Sequence, residues 1–314
     1  MRQNSAECAF SSNESWVILS PIEQSIKKKI ESVGVPLKNW DISINYGIKT
    51  GFNDAFIING SKRNEILANC KTDEERKRTE AIIRPILRGR DIKRYSYTWN
   101  DLWLIYIPWH FPLQFDETIQ GASEKAETEF KKQYPAVYSH LLQYKKELSA
   151  RNKAETGIRY EWYAMQRWGA NYWEDFDKPK IVWAELSRTG NSFAFDNAKM
   201  FVGNTGYILT VPNDNPEILK YLLGFLNSRI ILYYLDLICT RLDDNGWRWL
   251  RQFVENIPIP EQSLNNSSKL IKTVGNIDEY NQQDFSNKIN EIVAEIFRLT
   301  DAEISYIDKN LSKY

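Results

Sequence analysis

The chain has 314 residues, 42% apolar and 26% charged, which is enough apolar material for a core, rules out wholesale disorder and suits two domains or one elaborated domain. Lysine plus arginine and aspartate plus glutamate are both 41, so the net charge is zero; this excludes a protein that coats nucleic acid through bulk positive charge and confines any such site to a local patch. Three dispersed cysteines (Cys8, Cys70, Cys239) and two histidines (His110, His140) give neither a disulfide framework nor zinc spacing, and fit a reducing cytoplasm.

Residues 1–13 are polar and lack the charged and apolar regions of a signal peptide. Ser20-Pro21-Ile22-Glu23 then reads as a capped helix start, with Ile22, Ile26, Ile30 and Val33 on one face and Gly34 as the stop. The lysines Lys27, Lys28 and Lys29 fall on the other faces, as a solvated surface in preference to a phosphate-facing one. Ile42, Ile44 and Tyr46 alternate as a strand, a loop spans residues 47–53, and a second strand is expected over Ala55 to Asn59. Thr72 to Glu75 caps a charged helix ending near Pro85, and Leu102 to Ile107 is a third strand. Ser123 to Ala150 is helical, interrupted at Pro135. Lys180 to Leu186, Ser192 to Phe195 and Tyr207 to Val211 are further strands.

Ile218 to Cys239 is the most apolar stretch. It contains Lys220, Asn227, Arg229 and Asp236, so it reads as buried helix with a break at Asn227-Ser228 and not as a membrane span. Glu261 to Gln283 reads as a loose polar connection. A helix with Phe285, Ile289, Ile292, Val293, Ile296 and Phe297 on one side follows, then a short one capped by Thr300 and Glu303. Strands dominate the middle and helices both ends, without the alternation of a doubly wound sheet, which gives an α+β class.

Phosphate-binding P-loops, dinucleotide loops and Gly-x-Ser-x-Gly elbows are all missing from the sequence. Asp91-Ile92-Lys93 has the acid-x-lysine spacing of metal-dependent nucleases, but a lone tripeptide amid arginines is a poor cation site. No catalytic residue and no metal ligand is therefore assigned.

Three constellations remain. In Gly47-Ile48-Lys49-Thr50-Gly51-Phe52-Asn53, two glycines permit close backbone approach, Lys49 and Thr50 suit phosphate, and Asn53 positions the loop or reads an adenine edge; an ordinary hairpin turn fits the spacing equally. Arg84, Arg88, Arg90, Lys93 and Arg94, with Asp91, carry net +4 over residues 84–94. Their complement is a phosphate backbone or guanine, or else the nearby acids Asp73-Glu74-Glu75 and Glu80. Arg159 to Trp173 interleaves Arg159 and Arg167 with Tyr160, Trp162, Tyr163, Gln166, Trp168, Asn171, Tyr172 and Trp173, a pattern suited to stacking and base edges or to core packing. Weaker candidates are Arg188 and Asn191 in a turn, and Arg241, Arg248 and Arg251 around Trp247 and Trp249.

Taken in order, these segments resemble the TaqI-like C-terminal specificity domain of adenine-specific DNA methyltransferases and type IIG restriction-modification enzymes. The matching pieces are Trp40 to Asn45 leading into Gly47 to Ile58, Pro85 to Tyr95, Tyr160 to Arg167, Leu222 to Ser228, Ile257-Pro258-Ile259-Pro260 and the closing helix Ile289 to Ile304. The resemblance implies a twisted β-rich DNA-recognition body with helices at the N-terminus and a C-terminal helical hairpin. It divides the chain into residues 1–37 (helical), 38–260 (target recognition) and 261–314 (C-terminal helices).

In the family an upstream domain binds S-adenosylmethionine and flips adenine into an Asn-Pro-Pro-Tyr pocket. This chain has no two adjacent prolines, so it is expected to be a recognition module without its catalytic domain: a truncated product, an excised fragment or a subunit acting in trans. The resemblance implies double-stranded DNA and a methyltransferase domain or subunit as partners. Lys49, Thr50, Arg88, Arg90, Lys93 and Arg94 are then backbone contacts, Asn53 a DNA-binding residue that positions the loop or reads an adenine edge, and Arg167, Arg188 and Asn191 base-side contacts. The rival expectations are an interaction subunit docking a methyltransferase through the Leu222 to Leu226 region, and a small nuclease using Asp91 and Lys93.

Overall fold

Ser20 and Pro21 start a helix over Pro21–Val33, and the Glu23 carboxylate accepts the Ser20 amide at 2.7 Å, the return half of the expected capping box. Ile26 and Ile30 form its buried stripe. Of the lysine run, Lys29 pairs with Glu303 at 2.6 Å, Lys27 with Glu31 at 3.7 Å, and Lys28 is exposed. The computed structural model describes residues 19–239, 246–261, 267–277 and 282–312.

The chain forms two compact units: Met1–Ile42, Leu186–Ser192 and Val211–Tyr314 make one, Ser43–Glu185 and Phe193–Thr210 the other. This division does not follow cuts at residues 37 and 260. The first unit joins both chain ends, because Val35–Pro36 pairs antiparallel with Pro258–Ile259.

In that first unit the long apolar segment is two helices, Pro216–Leu226 and Arg229–Ile238, bent by 68° at Asn227-Ser228. Ser228 Oγ accepts from Ile231 N and caps the second helix. Every residue from Tyr221 to Ser228 is buried, so the face invoked for docking a methyltransferase is core. Among the described residues, no single helix is long and apolar enough to cross a membrane. A helix, Ser267–Gly275, lies inside the stretch read as loose connection; Leu270 and Val274 anchor it, and its two-turn length hid that stripe among polar residues. The chain closes with helices Gln282–Ile296 and Asp301–Leu311. The second of these carries the predicted capping box, Thr300 accepting from Glu303 N and Glu303 from Thr300 N.

Glu303 is a pH-sensitive tie between the terminal helices. Burial would raise its carboxyl, but bonds from Lys29, Thr300 and Ser25 outweigh this and hold it at about 2, against an ordinary 4.5. Its folded pKa is depressed, so its contribution is complete above pH 4.5 and disappears as pH falls toward 2. Glu303→Gln should abolish that segment of the pH–stability curve, worth at most about 3 kcal/mol, as read by urea denaturation between pH 2 and 6.

The second unit contains two four-stranded sheets. In the first, Ser43–Tyr46, Gly206–Thr210, Lys180–Ala184 and Phe193–Asp196 run antiparallel in that spatial order. Its two central strands are buried at every position, and Trp183 stacks on its register partner Tyr207 at 5.1 Å. The second sheet orders Ile57–Asn59, Leu102–Ile105, Ile83–Leu87 and Phe201–Val202, the last pairing parallel.

Two expectations are corrected in this sheet. Residues 55 and 56 belong to a helical turn, Asn53–Phe56, and only Ile57–Asn59 is strand. The helix expected to end near Pro85 spans Asp73–Ile82 and stops sooner; Pro85 sits within the next strand, opposite Trp103. A helix over Gly60–Ala68, capped by Asn59, was not foreseen. Pro135 interrupts the later helical stretch as expected, giving Glu124–Gln133, Pro135–Leu142 and Lys145–Ala150.

Candidate nucleic-acid interface

The loop 47–53 is no hairpin turn. Gly47 N donates to Gly206 O at 2.9 Å and Ile48 N to Val202 O at 2.7 Å. A methyl group at Gly47 would lie 2.0 Å from the Gly203 carbonyl oxygen, so only glycine permits this approach. Gly51 has φ +81°, a left-handed turn that returns the chain toward the helix at Asn53. Thr50 is buried and its hydroxyl donates to Asn53 Oδ1 at 2.6 Å. Thr50 therefore shapes the loop from inside and does not present a hydroxyl to phosphate; Asn53 is exposed at the loop's end.

Lys49 lies opposite Arg167 in an antiparallel bridge, exchanging backbone hydrogen bonds at 3.0 and 2.9 Å. Such partners have Cα atoms about 5.5 Å apart. Two cations directly opposed repel each other, which weakens the pairing unless an anion lies between them. Arg167 is exposed and Lys49 half-buried, and neither has a carboxylate partner among the described residues.

The turn 88–94 is built differently. Arg88 donates to Asp91 through Nε at 3.0 Å and Nη2 at 2.9 Å, and its amide adds a third bond at 2.8 Å. Asn100 supplies a fourth at 2.9 Å. Burial would raise the Asp91 carboxyl, but these bonds and the Arg88 charge hold it below its ordinary value. Arg88 is thus a brace of the turn and not an open phosphate ligand, and Asp91 is spent on donors instead of standing ready for a nuclease cation. Arg84 is bound to Asp177 and lies over the Phe201 ring at 5.0 Å. Two of the acids expected to absorb this cluster have other partners: Glu80 takes Arg63 at 2.6 Å, and Glu75 accepts from Lys71 N and Ala136 N; Asp73 and Glu74 are exposed. Arg90 and Lys93 are exposed and have no carboxylate partner among the described residues. Arg94 lies over the Tyr95 ring at 5.4 Å.

Backbone pairing brings these loops together. Arg167 bridges Lys49, Ile48 bridges Gly203, and Leu87 is in register with Val202. Segments 166–167, 48–49, 202–203 and 87 therefore lie side by side, each about 4.8 Å from the next. The tip of the 203–206 turn is held from both sides, by Gly47 N on Gly206 O and by Gly89 N on Thr205 Oγ1 at 3.2 Å.

The segment 159–173 divides by burial. Tyr160, Trp162, Tyr163 and Trp168 are core. Arg159, Gln166, Arg167 and Asn171 line a cleft of about 310 Å³. Arg159 lies over Trp109 at 5.4 Å and pairs with Glu155 at 3.1 Å.

Arg151, which the sequence did not single out, ties these pieces together. Its guanidinium donates to the carbonyls of Thr50, Trp162 and Ala164, and Nε to Leu148 O. Burial lowers its pKa to about 10.

The family model of the TaqI-like C-terminal specificity domain matches residues 84–259, more than half of the chain. The chain belongs to this family. The match begins at Arg84, so the 47–53 loop is outside it. The specificity domain is 26% identical over 171 residues to the type II methyltransferase M.BanIII of Aneurinibacillus aneurinilyticus, covering 52% of this chain and 29% of that protein. Its fold resembles the type IIL restriction-modification enzyme MmeI, solved in complex with DNA, with a TM-score of 0.56 and 15% identity over 88% of this chain and 36% of MmeI. The type IIG restriction endonuclease BpuSI matches at a TM-score of 0.48 and 12% identity, covering 88% of this chain and 32% of that one.

Two expected base-side residues of the specificity domain belong to the other compact unit. Asn191 is buried and its amide donates to Leu226 O at 2.7 Å and Ser228 O at 2.9 Å, so it joins a turn to the helix break and is unavailable to a base. Arg188 is exposed in that turn. Of the weaker candidates, Arg251 pairs with Glu255 at 2.9 Å, Arg248 is exposed on a short strand, and Arg241 lies outside the described residues.

Proposed function

We propose that this domain recognises a specific sequence in double-stranded DNA and directs an adenine-specific DNA methyltransferase of a restriction-modification system. The observation that carries the reading is the opposed pair Lys49 and Arg167, unpartnered by carboxylates among the described residues and fixed by backbone bonds. Phosphate is the anion that relieves their repulsion, and Arg90 and Lys93 extend the cationic wall. Such contacts set register on the duplex; base edges supply sequence information. The complex of MmeI with DNA and the methyltransferase M.BanIII are consistent with both halves of the proposal.

The family's Asn-Pro-Pro-Tyr pocket needs adjacent prolines, which do not occur in this chain. The methyl donor would therefore be held by a separate methyltransferase domain or subunit.

Binding of duplex DNA by the full chain, measured across a salt series, tests the proposal. Affinity should fall on a log–log plot by about 0.9 per phosphate neutralised. Absence of binding to any member of a random duplex pool at low salt would refute it.

A further inference from the structure

We propose that Gln166 is the base-reading residue of this unit and reads adenine in the major groove; the inference rests on the DNA-recognition reading above. Gln166 immediately precedes Arg167, so its position is set by the same ladder, and its backbone N donates to Thr50 O at 3.3 Å. Its side chain runs along the Gly51 turn: Cβ and Oε1 each lie 3.1 Å from where a Gly51 side chain would begin. The missing side chain at Gly51 makes room for this amide, and Gln166 is one of the residues lining the cleft.

The Gln166 side-chain amide makes no hydrogen bond among the described residues. The exposed Asn171 lines the same cleft, but of the two amides Gln166 is the one tied by its backbone to the Thr50 carbonyl beside the Lys49–Arg167 bridge. Half-burial restricts the rotamers of Gln166, so little order remains to be gained on binding. Lys49 and Arg167 are occupied by phosphate, which leaves the adjoining neutral amide to meet a base edge. One donor and one acceptor on a planar group match adenine N7 and N6.

The test is selection from a random duplex pool by the full chain, the Gln166→Ala variant and the Gln166→Glu variant. The wild-type consensus should contain an adenine whose preference drops about 5- to 150-fold in Gln166→Ala, the size of one bidentate base contact. The remaining positions and the salt dependence should be unchanged. Gln166→Glu, which lacks a donor and accepts from cytosine N4, should move that position toward cytosine. A consensus identical in all three proteins overturns the assignment of Gln166 and leaves DNA recognition standing. A wild-type chain that selects no consensus overturns both.

Discussion

Lys180→Met is expected to destabilise the chain by about 3–5 kcal/mol, the cost of leaving a buried charge without its partner. Lys180 and Asp196 are register partners on neighbouring strands, joined at 2.6 Å with neither side chain exposed. Burial lowers the Lys180 pKa even though Asp196 opposes the shift. Lys180 also donates to Phe176 O at 2.6 Å, and Asp196 accepts from Tyr97 Oη, Ala198 N and Met200 N. The carboxylate thus organises the turn leading into Phe201–Val202. Combining Lys180→Met with Asp196→Asn should recover part of the loss, because the asparagine oxygen still accepts and no charge is stranded. Guanidinium denaturation of the three proteins checks this; equal midpoints would contradict it.

Arg151→Met should cost roughly 3 kcal/mol or more, since a charged donor is worth about 1.5–3 kcal/mol per bond and four carbonyls lose one. The local consequence is sharper. Arg151 bonds both the Thr50 carbonyl and the segment leading to Gln166, so its loss should loosen the reciprocal Lys49–Arg167 bonds. Hydrogen exchange at the Lys49 and Arg167 amides should accelerate well beyond the global change in stability. Arg151→Lys keeps the charge but lacks the planar fork that spans several carbonyls, and should recover less than half of the loss. Unchanged exchange at those two amides in Arg151→Met would contradict the bracing role.

What could be read from the sequence follows from the range of the chemistry involved. Capping at Ser20, Thr72 and Thr300, the break at Pro135 and the bend at Asn227-Ser228 depend on residues within one or two turns, and all were legible. The strand at Ile83–Leu87 was hidden by Pro85, which argues against a strand until its place opposite Trp103 is known. The α+β class followed from element order alone.

The site was legible in outline only. Lys49, Arg90, Lys93 and Arg167 could be nominated from the sequence because cations near glycines stand out without knowledge of any partner, and none of the four has a carboxylate partner among the described residues. Arg84, Arg88, Thr50 and Asn191 were overread, because their partners are set by tertiary contacts: Asp177 is 93 residues from Arg84, and the carbonyls that occupy Asn191 are 35 and 37 residues away. Arg151 was missed because a lone arginine after a helix gives no signal of the three backbone segments it holds.

The salt dependence of duplex binding by the wild-type chain and by a Lys49→Ala, Arg167→Ala double variant tests the central claim most directly. The account predicts a log–log slope shallower by about 2 in the double variant, close to one unit per lost phosphate contact, with affinity reduced across all sequences. A double variant that keeps the wild-type slope and affinity would show that the opposed cations do not meet phosphate.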